Sequence, residues 1–477
     1  MKKLWGMIKE HYELMAYVVL TVLLFCACFF SVFAWLAAGF TVLMTILFHK
    51  EIKLVGLLLY LHCFYALFNY QSLWSISLDI IIAGIIIFTI FVLYVYRVFK
   101  REYKLNLKIL IPITLFWIYM LLPFHQCNWR EFFAEVFFFV LLYVVFEERK
   151  QFNFHRLIRT FVLGLIISCM FALFKNVSPL LRNVLPNLYV GEKFRFQGLA
   201  FHANTLAGFL MFAICSLLLL KYKGKISLTE FILAFIPIFI FGYLTISRSF
   251  LITVVACMVI FSILYIVQQK TKALRFLSIL LVIICAVGGI FFSITKVYVE
   301  RLSSPLEILD VNSSLSTTSL EEIFDNQDEA WKQDVLAGRV HFDPGRSGLH
   351  ELYLRDWKSS TKTIWFGRGI SRPQIGQMAA HNFYIQQLWK HGLLGYFFYL
   401  AMLISVINWK KVKQKVKLYL PLVIILVPYF LEMTVESCPL DYIRILIVFC
   451  AIGFLEQLDL HTVNQKLLVT DEEKTTV

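Results

Sequence analysis

The sequence predicts an all-α polytopic integral membrane protein with about 14 transmembrane helices (12 to 14) and one large extracytoplasmic loop containing short helices. Three observations carry that expectation. Hydrophobic residues fill 60% of 477 positions and charged residues only 16%, which is more apolar surface than a water-soluble core can hide. Apolar runs of about 20 residues recur along the chain, cut by short basic clusters or turn-rich points. A polar stretch from 296 to 380 then interrupts the pattern, far longer than the usual connection between helices.

Cut at its charged and turn-rich points, the chain gives spans starting near residues 12, 33, 54, 78, 107, 130, 157, 205, 228, 249, 274, 382, 418 and 441. Residues 14 to 48 form one apolar run, which has to fold back around Ser31 or break near Gly39. The N-terminal segment lacks a small-residue cleavage site followed by a soluble domain, so it reads as a retained anchor. Counted from an internal N-terminus, the cytoplasmic connections are Lys50 to Lys53, Arg97 to Lys108, Arg149 to Arg159, Lys221 to Lys225, Lys270 to Arg275 and Lys410 to Lys417. All are basic, as positive-inside orientation requires, whereas the outward turns near 71–77, 124–129 and 434–440 carry almost no Lys or Arg. The same count puts both termini inside and residues 296–380 outside.

Five parts follow: N-terminal transmembrane helices (1–190), transmembrane helices carrying outward arginine motifs (191–295), the extracytoplasmic loop (296–380), C-terminal transmembrane helices (381–460) and a cytoplasmic tail (461–477). Within the loop, residues 303–330 are rich in Ser, Thr, Asn, Asp and Glu and read as a mobile or edge-lying segment. Leu349, Leu352, Tyr353, Leu354 and Trp357 recur at helical spacing, predicting a short amphipathic surface helix between Gly345 and Lys358. Gly367, Gly369, Pro373 and Gly376 make a turn-rich link to His381.

The formal charge of +14 does not indicate nucleic acid, because the positives sit between apolar runs where they orient helices. Eight of the ten cysteines fall within apolar runs, and Cys127 and Cys438 fall in outward turns, so neither a disulfide framework nor a thiolate metal site is indicated. His341, Asp343, His350 and Glu351 lack the i,i+4 histidine spacing that presents two ligands on one helix face.

The informative charges are three outward arginines beside spans: Arg195, Arg248 and Arg346. Arginine next to hydrocarbon is costly unless it meets an anion or a cavity, and a guanidinium fork matches phosphate oxygens. The competing reading is snorkelling to lipid headgroups. His381 is the titrating candidate, since imidazole accepts a proton near neutral pH, although an interfacial histidine is often structural. Asn382, Gln386 and Gln387 line up as a polar face. His202 and Asn204 stand where an outward connection enters a span, and Asn204 is a good helix N-cap type.

The order of these segments carries a resemblance. Arg195 to Ala207 reads Arg-Phe-Gln-Gly-Leu-Ala-Phe-His-Ala-Asn-Thr-Leu-Ala, followed by the turn Thr245-Ile246-Ser247-Arg248-Ser249. Then come Gly345-Arg346-Ser347-Gly348, Phe366-Gly367-Arg368-Gly369, Ala380-His381-Asn382-Phe383-Tyr384 and His391-Gly392-Leu393-Leu394-Gly395. Over roughly residues 190 to 400 the chain resembles the superfamily of bacterial O-antigen ligases and O-antigen or capsule polymerases. It departs from that pattern in the hydrophilic stretch 303–330 and in its number of spans.

The resemblance implies a metal-independent glycosyltransferase without cofactor in the bacterial cytoplasmic membrane. Its substrate would be an undecaprenyl-diphosphate-linked oligosaccharide and its acceptor a glycan outside that membrane. Arg195, Arg248 and Arg346 would bind the donor diphosphate, Asn204 and Asn382 would contact substrate, and His381 would orient or deprotonate the acceptor hydroxyl. Arg248 and His381 are the catalytic candidates. Besides the lipid bilayer, a chain-length regulator and a flippase are the companion proteins such a reaction calls for. Polymerisation of capsule, exopolysaccharide or wall polysaccharide repeat units is the favoured reading; a ligase acting on a lipid, wall or protein acceptor is the alternative. A flippase or transporter would instead use the arginines along a translocation path, and a scaffold would tolerate their replacement.

Overall fold

The computed structural model describes residues 2–48, 50–73, 76–100, 105–122, 129–185, 189–190, 193–200, 202–268, 270–303, 346–369, 382–405, 409–433 and 444–459. Helices dominate. In chain order they are α1 (Lys2–Ala27), α2 (Ser31–Leu47), α3 (Glu51–His62), α4 (Tyr65–Asn69), α5 (Leu78–Phe99), α6 (Leu107–Met120) and α7 (Trp129–Glu148). Next are α8 (Phe154–Ala172), α9 (Pro179–Val184), α10 (Ala203–Tyr222), α11 (Leu228–Leu244), α12 (Arg248–Gln268), α13 (Lys270–Ile290) and α14 (Phe292–Ser303). The last are α15 (Arg346–Trp357), α16 (Thr361–Phe366), α17 (Phe383–Ser405), α18 (Trp409–Gln414), α19 (Val416–Tyr419), α20 (Val423–Met433) and α21 (444–459). The described strands are two-residue hairpin arms: β1 (Ser72–Leu73) with β2 (Ile76–Ser77), and β3 (Tyr189–Val190) with β4 (Lys193–Phe194).

Five segments are long and apolar enough to cross a membrane: Leu78–Phe99, Phe154–Asn176, Ala203–Tyr222, Arg248–Val267 and Lys272–Ile290. Shorter apolar helices, among them Ser31–Leu47 and Leu228–Leu244, stand at other expected positions. The run 14–48 breaks at Cys28–Phe30, just ahead of Ser31, and Gly39 stays inside α2. Asn153, Ser178 and Ser227 each begin a helix by accepting a backbone N–H bond from the third residue on, which satisfies one donor orphaned at that helix end.

The bundle is organised around α10. Every residue from Leu206 to Leu220 is buried, as a helix apolar on all sides must be when neighbours surround it. Among those neighbours are α8, α11, α12 and α20. Outer helices behave oppositely: on α12, Ile252, Val255, Val259 and Ile263 recur at three- and four-residue spacing and are exposed. A water-soluble surface does not sustain such a stripe, whereas hydrocarbon covers it.

The polar stretch begins while still helical, since α14 carries the chain from Phe292 to Ser303. The expected mobile segment 303–330 lies outside the described residues apart from Ser303, as does the link 370–381. The helix predicted between Gly345 and Lys358 forms as α15, within one residue at each end. It packs against α17 through Tyr353 and Trp357 on Trp389, with the Tyr353 and Trp389 rings edge to face at 5.0 Å.

The span expected from residue 382 is broken rather than continuous. Gly392 has φ 61° and ψ −173°, dividing α17 into two helical pieces. Breaking a helix frees carbonyls that need donors. Here Arg368 N–H donates to Trp389 O at 2.9 Å, Gly369 N–H to Lys390 O at 2.9 Å, and the Tyr119 hydroxyl to His391 O at 2.5 Å and Phe366 O at 3.0 Å.

Candidate functional site

Two arginine-bearing segments separated by fifty residues meet at one end of α10. Its N-cap is His202, whose Nδ1 accepts from Asn204 N–H at 3.2 Å. The expected cap, Asn204, instead lies one residue inside the helix, which frees its side chain. Asn204 Oδ1 accepts from Arg195 Nη2 at 2.6 Å, and Arg195 Nε donates to Thr245 O at 3.0 Å. The neighbouring backbone reinforces the join, with Phe196 N–H donating to Leu244 O at 3.0 Å and the Phe196 and Phe241 rings stacked at 5.3 Å.

The turn so gripped is strained. Ile246 is β-branched and fully buried, yet its φ is 50°. Such a conformation costs about 1–3 kcal/mol and persists only where surrounding contacts over-determine it. Those contacts are present: Thr245 Oγ1 donates to Gly242 O and accepts from Ser247 N–H, while the Tyr298 hydroxyl donates to Tyr243 O at 3.0 Å. Gly242 is required because a Cβ there would lie 2.1 Å from the Phe250 ring. The consequence is a reversal between α11 and α12 tight enough that Arg248 becomes the first residue of α12, half-buried, with Ser247 and Ser249 hydroxyls bonded to each other at 2.8 Å beside it.

Arg195, Asn204 and Arg248 are therefore brought into one neighbourhood through the 245–248 turn. Two arginines joined at such a turn suit an anion bearing several oxygens. Asn382 has a separate local role: its Oδ1 accepts from Ile385 N–H at 3.1 Å and so caps α17, leaving its amide nitrogen as a donor. Arg346 begins α15, but its side chain lies outside the described residues, and His381 lies outside them altogether. Gln386 and Gln387, expected on a polar face, are buried on the first piece of α17 together with Lys390 and His391.

Two features escaped sequence reasoning. Arg444, only 1% exposed, begins α21 and places its guanidinium carbon 5.8 Å from the Phe209 ring centre; His62 meets the same ring edge-on at 5.0 Å. Phe209 is five residues along α10 from Asn204, about 7.5 Å further down its axis. The signal was present in Ile443-Arg444-Ile445-Leu446, since an arginine inside an apolar run is as costly as the three outward ones. The second is Asp356, which accepts from Arg368 Nη2 at 2.6 Å, Arg368 Nε at 2.9 Å and Trp389 Nε1 at 2.6 Å. It clamps the 366–369 loop to α15 and α17.

Among the described residues no group of three His, Cys, Asp or Glu side chains is placed to hold a metal ion; His341 and Asp343 lie outside them. No known protein-family model matches the chain and no curated protein does, so a functional reading rests on these residues and their arrangement.

Proposed function

We propose that this protein transfers an undecaprenyl-diphosphate-linked glycan to a glycan acceptor outside the cytoplasmic membrane, extending capsule, exopolysaccharide or wall polysaccharide from repeat units. The observation that supports this reading most is the join of Arg195, through Asn204 Oδ1 and Thr245 O, to the strained turn that presents Arg248. With about 14 spans and both termini inside, as the sequence pattern suggests, that join would lie at the outer face.

In the proposed reaction the acceptor hydroxyl oxygen attacks the anomeric carbon of the donor sugar. The bond from that carbon to the diphosphate oxygen breaks, and the hydroxyl proton passes to His381. Charge that builds on the departing diphosphate is met by Arg195, Arg248 and Arg346. Fixed cationic donors aimed at developing charge are worth most in a dry site and need no reorganisation at the moment of reaction. Asn204 holds Arg195 in place, and Asn382 supplies an amide donor at the head of the helix that follows His381. A chain-length regulator and a flippase would act beside it.

The test is reconstitution of purified protein with a lipid-linked repeat unit, followed by glycan sizing. Extension that is lost in Arg248→Ala and His381→Ala, both still inserted, supports the proposal. Normal polymer length in either variant refutes the assigned roles. Redistribution of the lipid-linked unit across the bilayer without new glycosidic bonds would make the protein a flippase.

A further inference from the structure

At the end of α3 remote from Arg195, the bundle forms a polar cavity of about 340 Å³. The two places are well separated. Beyond the far end of α3, Ala66 N–H donates to Leu199 O beside the Arg195 segment, while Lys53 in the first turn faces the cavity. Twelve helical residues put about 18 Å between those ends.

Four cations line the cavity: Lys50, Lys53, Arg97 and Arg156. Glu13 pairs with both Lys53 and Arg156, and Glu148 with Arg97 at 3.3 Å, so among the described lining residues two carboxylates stand against four positive groups. The excess of two matches a phosphate group, which carries about 1.5 to 2 negative charges when monoesterified. The ion pairs also hold their cations in place: Glu148 is 2% exposed, so Arg97 is fixed at the cavity rather than extended into water.

The rest of the wall is mostly apolar, with Gln151 and Thr160 its polar members. Tyr17 and Phe48 lie with ring centres 6.2 Å apart, and Leu157 and Ile52 continue that surface. Gly56 lies between Leu157 and the Tyr17 hydroxyl, each 3.6 Å from where a Cβ would stand. Cations interleaved with hydrocarbon, as where Lys53 Nζ lies 5.8 Å from the Phe48 ring centre, suit an amphiphile better than a free ion.

We propose that this cavity is a binding site for the phosphate headgroup of an anionic membrane lipid, taken from the leaflet opposite the Arg195 cluster. Lys50, Lys53, Arg97 and Arg156 surround the phosphate, and Tyr17, Phe48 and Leu157 cover the glycerol and the start of an acyl chain. This site is independent of the proposed transfer reaction.

The test measures thermal stabilisation of the detergent-purified full chain at constant ionic strength, with three probes: dioctanoyl phosphatidic acid, dioctanoyl phosphatidylcholine and inorganic phosphate. The expected result is saturable stabilisation by phosphatidic acid, at least tenfold tighter than by either other probe. Lys50→Gln/Arg156→Gln removes the two most exposed cations while keeping the Glu13–Lys53 and Glu148–Arg97 pairs, and should weaken phosphatidic acid binding at least tenfold. The single charge reversal Lys50→Glu should weaken it in the same direction, which preserves the test if the double variant misfolds. An Arg195→Ala/Arg248→Ala background should bind phosphatidic acid normally, separating this cavity from the other cluster. Equal binding of phosphatidylcholine, equal binding of inorganic phosphate, loss of binding in the Arg195→Ala/Arg248→Ala background, or unchanged binding in the lysine variants would each overturn the proposal.

Discussion

Replacing Gly367 by alanine tests whether the 366–369 loop is held against the break in α17 by direct backbone contact. Gly367 has φ 72°, and a Cβ on it would lie 2.2 Å from Lys390 O and 2.5 Å from Gly392 N. The left-handed backbone alone costs a residue with a Cβ about 1–2 kcal/mol. Relieving the overlap requires the two backbones to part by about 1 Å, which stretches the 2.9 Å bonds from Arg368 N–H and Gly369 N–H beyond bonding distance. Two lost bonds add about 0.5–1.5 kcal/mol each, for a local loss of about 2–5 kcal/mol. Gly224→Ala is the matched control, because φ is 65° there and nothing lies within 4 Å of the added Cβ. Hydrogen–deuterium exchange in detergent reads the outcome at the amides of Arg368 and Gly369. In Gly367→Ala those amides should exchange at least about 30-fold faster, by the tenfold-per-1.4 kcal/mol relation, while Gly224→Ala leaves them unchanged. Unchanged exchange in Gly367→Ala would refute the backbone contact.

Tyr119→Phe removes the hydroxyl shared by His391 O and Phe366 O and leaves buried carbonyls short of a donor, a loss of about 1–3 kcal/mol visible as a lower unfolding midpoint. Asp356→Asn and Arg368→Gln should be strongly non-additive in a double-mutant cycle, with a coupling of about 0.5–3 kcal/mol, because each removes the same bidentate pair. Arg195→Lys retains the charge but cannot hold both Asn204 Oδ1 and Thr245 O in one plane; under the proposed function, glycan extension should fall about tenfold or more while membrane insertion is unaffected. Arg248→Ala should reduce extension by about 10²–10³-fold, the usual loss for one fixed donor to developing charge.

Helix positions were legible from the sequence because apolar length and basic punctuation are properties of single segments. Of the two breaks expected for the run 14–48, at Ser31 or Gly39, the chain takes the first, and the helix Arg346–Trp357 falls where its apolar spacing put it. Gly392 was not legible as a break, since its role depends on Gly367 arriving from another part of the chain to cross it. The resemblance groups Arg195 and Arg248 at one diphosphate, but the contact that joins their segments was not legible, because it runs through a main-chain carbonyl, Thr245 O, that has no residue signature. Asn204 looked like a cap by type, yet His202 takes that place and turns Asn204 toward Arg195. The surroundings of Arg444 were not legible, because they are made by Phe209 and His62 from distant helices.

The complete enclosure of α10 bears on how the protein is made. Three of its neighbours, α8, α11 and α12, are synthesised close to it, but α20 follows two hundred residues later and brings Tyr429 edge-on to Phe212 at 6.2 Å. Until that segment leaves the ribosome, one flank of α10 has only lipid to face. Assembly of the centre is thus completed by the C-terminal third, and truncation before Val423 should yield a protein that inserts but whose central helix remains accessible to lipid-soluble labels.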